Sequence, residues 1–183
     1  MKKYGVSEIE QFLRAVDERL SKPFFLIVVG GSAAALAYRA SLTTGDIDTA
    51  NNVTEIREAC DEAARETGLR IPVNLSTVLD GPYHYEDRLQ QLEMPGLKHL
   101  VIKVPEKHDL VLMKMLRGYA HDIEHIVEIH QNVGLKLEIL VERYHTEMGH
   151  TMGSRKRIKG NFLAVIESVF GHAVAEALVK QVD

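Results

Sequence analysis

The 183-residue chain has no tryptophan, five prolines and a single cysteine, Cys60. One cysteine excludes an internal disulfide framework and a cysteine-built zinc cluster. Long apolar runs are missing as well. The longest, FFLIVV at 24–29, is far short of the ~20 residues that cross a bilayer. The N-terminal MKKYGVSEIEQF passes straight into an amphipathic pattern without a signal-peptide core, so a soluble, cytoplasmic protein with no membrane association is expected. Excess positive charge is lacking too: the net charge is −4, which excludes coating nucleic acid by charge alone. What remains is an ordinary globular composition, 45% hydrophobic and 26% charged.

Periodicity sets out the elements. Ser7 and Glu10 form a capping-box spacing. Ile9, Phe12, Leu13, Val16 and Leu20 then recur at helical intervals, predicting a helix over 8–20. A buried strand is expected at 24–29, a small-residue helix at 32–40, and a short strand at 47–49. A helix follows at 54–67, with Ala59, Cys60, Ala63 and Ala64 facing inward and Gly68 closing it. Alternation predicts a third strand over 71–79 and a fourth over 97–104. Residues 83–97 between them are irregular, with one helical turn. From 106 to 183 the pattern is helical, broken near His121, near Gly134 and across 149–160. Strands alternating with helices argue for a small mixed sheet with helices packed on it.

The densest chemistry lies in FFLIVVGGSAAALAYRASLTTGDIDTA, residues 24–50. Gly30 and Gly31 follow a buried strand and permit a tight turn with close ligand approach. The next helix aims its free N–H groups and positive dipole end at that space, a natural phosphate seat, and Ser32 adds a hydroxyl. No Walker-type or Gly-x-Gly-x-x-Gly loop is present, so the turn brings no lysine to neutralise phosphate. Asp46 and Asp48 offer another means. Residues i and i+2 of a strand share a face, ~7 Å apart, and two such carboxylates suit Mg²⁺. The ordinary alternative is a strand–turn–helix with two surface acids, but the combination is far rarer than either part.

This stretch resembles the signature of the polymerase-β-like nucleotidyltransferase superfamily, a hydrophobic strand, Gly-Gly/Ser and then Asp-x-Asp. The resemblance implies that Gly30, Gly31 and Ser32 hold the triphosphate of an NTP and that Asp46 and Asp48 bind Mg²⁺. Residues 99–126, HLVIKVPEKHDLVLMKMLRGYAHDIEHI, resemble the later half of the abortive-infection-type (AbiEii-like) toxin nucleotidyltransferases and their bacterial relatives. There a helix carries a phosphate-contacting lysine, matched by Lys114, and an Arg-Asp-x-x-Asp-like segment follows, matched at its first acid by Asp122. His121 and His125 depart from the Arg and the second Asp of that segment. The superfamily's third carboxylate falls on the strand IPVNLSTVLDG, where the equivalent is Asn74, with Asp80 further along.

The expected fold is therefore α+β. Residues 1–105 would be a nucleotidyltransferase-like core with a short mixed sheet. Residues 106–183 would be an all-helical region packed on it as one compact unit. The expected activity is Mg²⁺-dependent transfer of NMP from an NTP to a hydroxyl of RNA (tRNA) or protein, within a toxin–antitoxin or phage-defence system. Asp46, Asp48, Lys114 and Asp122 would carry it. A catalytically degenerate binding module or antitoxin is the alternative, with Asn74 as its motive and a cognate toxin or antitoxin protein as its partner. HDIEH, 121–125, also fits the inverted zinc-protease motif His-x-x-Glu-His. The basic run GSRKRIKGN, 153–161, reads as a solvated inter-helix loop or as an RNA contact. Phe162, Leu163, Ile166, Val169 and Phe170 are core or a homodimer face.

Overall fold

The computed structural model describes residues 2–41, 43–77 and 79–180. These divide into two units. The first comprises Met1–Ala37, Ser41–Val78 and Leu89–Pro105; the second comprises Tyr38–Ala40, Leu79–Arg88 and Glu106–Asp183.

In the first unit, helix α1 (Val6–Asp17) begins two residues earlier than its spacing suggests. Tyr4 is held extended by paired hydrogen bonds with Thr44, its N–H donating at 2.7 Å and its carbonyl accepting at 3.0 Å. The turn therefore falls at Gly5, and the Glu8 carboxylate, not Glu10, reaches back to accept the Gly5 N–H at 2.9 Å. Ile9, Phe12, Leu13 and Val16 are buried as their spacing requires, and α1 packs on α3 (Arg57–Thr67). The last residue of α1, Asp17, is also buried. Its carboxylate accepts the N–H groups of Lys98, His99 and Leu100, the closest at 2.6 Å. Burial alone would raise its pKa, but the three donors outweigh burial and lower it.

The sheet is small and mixed. β1 (Phe24–Ile27) runs parallel to β5 (Leu100–Val104), which pairs antiparallel with β4 (Gln90–Gln91). β2 (Ile47–Thr49) runs parallel to β3 (Val73–Leu75), with Asp48 opposite Asn74. An antiparallel bridge, Val28 to Thr49, joins the two pairs where β1 ends. In β5, Leu100, Ile102 and Val104 point into the core. The strand expected over 71–79 shrinks to three residues. Asn74 and Leu75 are exposed, so the alternating pattern lies on a free edge with little to bury; residue 78 lies outside the described residues. A 3₁₀ turn at Thr54–Ile56 leads into α3, and Gly68 ends it with φ +70°.

Helix α2 (Gly30–Tyr38) connects β1 to β2 and begins two residues before the expected 32, at Gly30 itself. Glycine there adopts φ +67°, so the turn and the helix start coincide.

The second unit is helical: α4 (Lys107–Arg117), α5 (Ala120–Val133), α6 (Leu137–Glu147), α7 (Arg155–Phe170) and α8 (His172–Leu178). Residues 181–183 of the helical tail lie outside the described residues. α4 is buried from His108 to Leu116, and α5, α6 and α7 pack against it. A bidentate Arg88–Asp109 pair, both bonds at 2.9 Å, joins the 3₁₀ turn Tyr85–Arg88 to α4, and Arg88 also grips Glu147 at 2.7 Å.

The basic run at 153–161 is not a loop. Arg155–Lys159 form the first turn of α7. Four like charges at a helix N-terminus oppose the dipole, but the apolar stripe Ile158, Phe162, Val165 and Ile166 is buried and overrides it. Arg155 and Arg157 also donate to the carbonyls of Met148 and Leu116, each at 2.9 Å. Phe162 stacks on Tyr144, centroids 4.1 Å apart, which makes Phe162 and Ile166 core residues of this unit. The whole is the expected α+β fold with a helical C-terminal region. Among the described residues no helix is long and apolar enough to cross a membrane.

Candidate functional site

The strand–turn–helix at 24–38 forms one tight assembly with β2. The Val29 N–H donates to the Asp48 carbonyl at 2.9 Å, and the Ala50 N–H to that of Ile27 at 2.8 Å. These bonds hold the Gly30 turn against the Asp-x-Asp segment. A Cβ added to Gly30 would lie 3.1 Å from Asp48 Oδ2, so the carboxylate crowds the space that a side chain would need. Gly31 is close to Thr44 Oγ1, 3.5 Å from where its Cβ would be. The first N–H groups of α2 have no acceptor inside the helix, and its first turn carries no acid to offset its positive end.

Ser32 sits differently from the sequence expectation. It is 1% exposed, and its hydroxyl donates to the Asp46 carbonyl at 2.7 Å. Its hydroxyl proton is thus spent on the backbone of the acidic segment, and the side chain pins the turn to Asp46. Thr44, which the sequence reading did not single out, does the same from the other side, with its Oγ1 donating to the Asp46 carbonyl at 3.1 Å.

Around Asp46 and Asp48 burial alternates: Ile47 and Thr49 are buried, and the two acids are partly exposed. Asp48 lies in β2, while Asp46 sits in the bend just before it, so strand alternation does not set the pair; both are partly open to solvent between buried neighbours. The parallel register sets Asn74 beside Asp48, the position where a third carboxylate was sought. Among the described residues no group of three His, Cys, Asp or Glu side chains forms a metal site. Two carboxylates and a neighbouring amide form an all-oxygen donor set. Mg²⁺ keeps several waters and is held by one or two carboxylates plus substrate phosphates, so these residues fit it.

Lys114 and Asp122 meet in the second unit. Lys114 is 2% exposed and its ammonium donates to Asp122 Oδ1 and to His125 Nδ1, both at 3.2 Å. An ammonium only donates, so that His125 nitrogen is an acceptor. Burial, and next the Lys114 charge, push the His125 pKa down to about 4. Arg117, more open to solvent, shares Asp122 Oδ1 at 2.5 Å. Asp122 Oδ2 is buried with no hydrogen bond among the described residues. The zinc reading of HDIEH loses its ligand set here. His121 and His125 are 5.6 Å apart between ring centroids, but one nitrogen of His125 faces an ammonium and no third ligand completes a site among the described residues.

Asp80 also proves remote in role from the acids. It belongs to the second unit, where its carboxylate accepts the Met152 N–H at 2.7 Å. No curated protein and no solved structure matches the chain. A family model does match, over residues 6–168, almost the whole chain and both units. The chain belongs to that family, described as nucleotidyltransferase of unknown function (DUF6036).

Proposed function

We propose that the protein transfers a nucleoside monophosphate from an NTP to an acceptor hydroxyl, with Mg²⁺, at the Gly30–Asp48 assembly. The observation that carries this reading is the contact of the Gly30 turn with Asp48, which makes phosphate seat and carboxylate pair one rigid piece. The N–H groups that open α2 would hold triphosphate oxygens. Asp46 and Asp48 would hold Mg²⁺, which when bound supplies counter-charge to the triphosphate and polarises the reacting oxygens. Ser32 and Thr44 keep the Asp46 backbone in place. The acceptor oxygen bonds to the α-phosphorus, the bond from that phosphorus to the β-bridging oxygen breaks, and pyrophosphate leaves. The acceptor proton passes to water. Lys114 and Asp122 enter this reading on sequence resemblance, as phosphate contact and positioning residue. The same resemblance supports a toxin–antitoxin or phage-defence setting.

The test titrates the four NTPs with Mg²⁺ against wild type and the Asp46→Ala/Asp48→Ala variant, following binding and labelled NMP transfer to total tRNA and to protein. Metal-dependent binding and transfer that both vanish in the variant are expected. Wild type without metal-dependent nucleotide binding would sink the proposal. Asn74 favours one second reading, a degenerate module that binds nucleotide without transferring it. Binding that needs both acids, with no transfer to any acceptor, would select it.

A further inference from the structure

The first unit holds a cavity of about 580 Å³ between α3 and β3, within the ~300–1,000 Å³ of ordinary ligand sites. Its character differs from that of the chain. Arg57, Arg65 and Arg70 line it against a single acid, Asp61, in a protein of net charge −4. All three arginines are exposed, and none is ion-paired among the described residues. Arg65 Nε makes an intrahelical bond to the Asp61 carbonyl at 3.3 Å. The floor is apolar, with Val53 and Ile71 buried beneath it. Asn74 closes one side and is the β-register partner of Asp48.

We propose that this cavity binds the end of a single nucleic acid strand, with backbone phosphates on Arg57, Arg65 and Arg70 and a terminal nucleoside on the apolar floor. Guanidinium forks match phosphate oxygens bidentately, and the aliphatic floor of Val53, Ile71 and Val73 below a cationic rim covers the apolar face of a base joined to its phosphates. A protein acceptor would bring few fixed anions to three arginines. The Asn74–Asp48 pairing puts the strand's terminal hydroxyl beside the carboxylates. The role of that hydroxyl rests on the proposed transfer; the binding does not.

Cys60 lines the same cavity and is the only cysteine of the chain, so it reports occupancy. Burial, and then Asp61, raise its thiol pKa to about 11, so labelling uses a small methanethiosulfonate at alkaline pH, read by mass. An eight-nucleotide single-stranded RNA, without NTP or Mg²⁺, should slow Cys60 labelling several-fold. The affinity should fall with salt at a log–log slope of about −2, as three phosphate contacts to a single strand require. Changing Arg57, Arg65 and Arg70 together to Gln should abolish protection and flatten the slope. The triple Lys variant should keep the salt dependence, and Lys156→Gln should change nothing. The Asp46→Ala/Asp48→Ala variant should still be protected, which separates failure of this proposal from failure of the transfer reading. DNA of the same sequence distinguishes recognition of the 2′-hydroxyl from recognition of the backbone alone. RNA that binds without protecting Cys60, protection that survives the triple Gln variant, or a free mononucleotide that protects as well as the strand would each overturn the proposal.

Discussion

Gly30 is under two constraints. Its φ of +67° strains any residue with a Cβ, and that Cβ would lie 3.1 Å from Asp48 Oδ2. Gly68 shares only the first, with φ +70° and nothing within 4 Å. Both Gly→Ala variants should lose about 1–2 kcal/mol in denaturant unfolding, from left-handed strain. Only Gly30→Ala should also weaken metal-dependent NTP binding, because only there does the methyl group press on a carboxylate. Equal binding by the two variants would detach Gly30 from the site. Asn74 allows the opposite experiment, since an acid there would stand in register with Asp48. Asn74→Asp should lower the Mg²⁺ concentration for half-maximal NTP binding several-fold, and an unchanged titration would place the metal elsewhere. The Gly30 turn, the start of α2 and the strand at Asp48 were legible in the sequence because they are set within a few residues of one another, whereas the bend at Asp46 was not. The duty of the Ser32 hydroxyl was not legible, because its partner is a backbone carbonyl 14 positions away, supplied by the fold.

At the scale of elements, periodicity located the parts whose burial is one-sided: α1 by its stripe, and β5 by the alternation of Leu100, Ile102 and Val104. It missed β4, since Gln90 and Gln91 have no apolar pattern and belong to the sheet only through β5. It overextended β3, where alternation meets no partner. It misjudged 155–159 because the charges masked a helical stripe that starts at Ile158. The Arg88–Asp109–Glu147 cluster was also invisible, its members lying 21 and 59 positions apart. Asp17 shows what such long-range polar contacts do. Its carboxylate is the common acceptor for three N–H groups at the start of β5, 81 to 83 residues away. Asp17→Ala would leave those donors without their acceptor, and of the three the Leu100 N–H is the buried one. An unsatisfied buried group costs ~1–3 kcal/mol, so a loss of about 1–3 kcal/mol is expected in urea unfolding. Hydrogen exchange should quicken first at Lys98, His99 and Leu100. A loss below about 1 kcal/mol would mean that water replaces the carboxylate.

For the molecule as a whole, the composition gave the net charge and said little about where charge is concentrated. Three exposed arginines with no ion pair among the described residues line one cavity, while Lys114 and Asp122 form a buried pair, all under a net charge of −4. Concealed charge of this kind makes stability depend on pH in a definite direction. His125 has a folded pKa of about 4 against an ordinary value of 6.5, because burial and the Lys114 ammonium disfavour its protonation. Between those values the unfolded chain takes up a proton that the folded chain refuses, so stability falls as pH drops from 6.5 to 4. Glu106 behaves as a depressed carboxylate. Burial alone would raise it, but hydrogen bonds from His108 and Arg143 hold it at about 2 against 4.5. Its contribution is complete above 4.5 and disappears as pH falls toward 2. Denaturant midpoints measured from pH 7.5 downward should therefore start to decline in the range of His125, well before carboxylates titrate, and steepen below 4.5. His125→Gln keeps an acceptor for Lys114 and removes the titration. Relative to wild type it should lose the part of the decline between 6.5 and 4 and retain the part below. An identical profile in the two proteins would show that His125 accepts a proton in the folded state as readily as in the unfolded chain, and that Lys114 does not face it in solution.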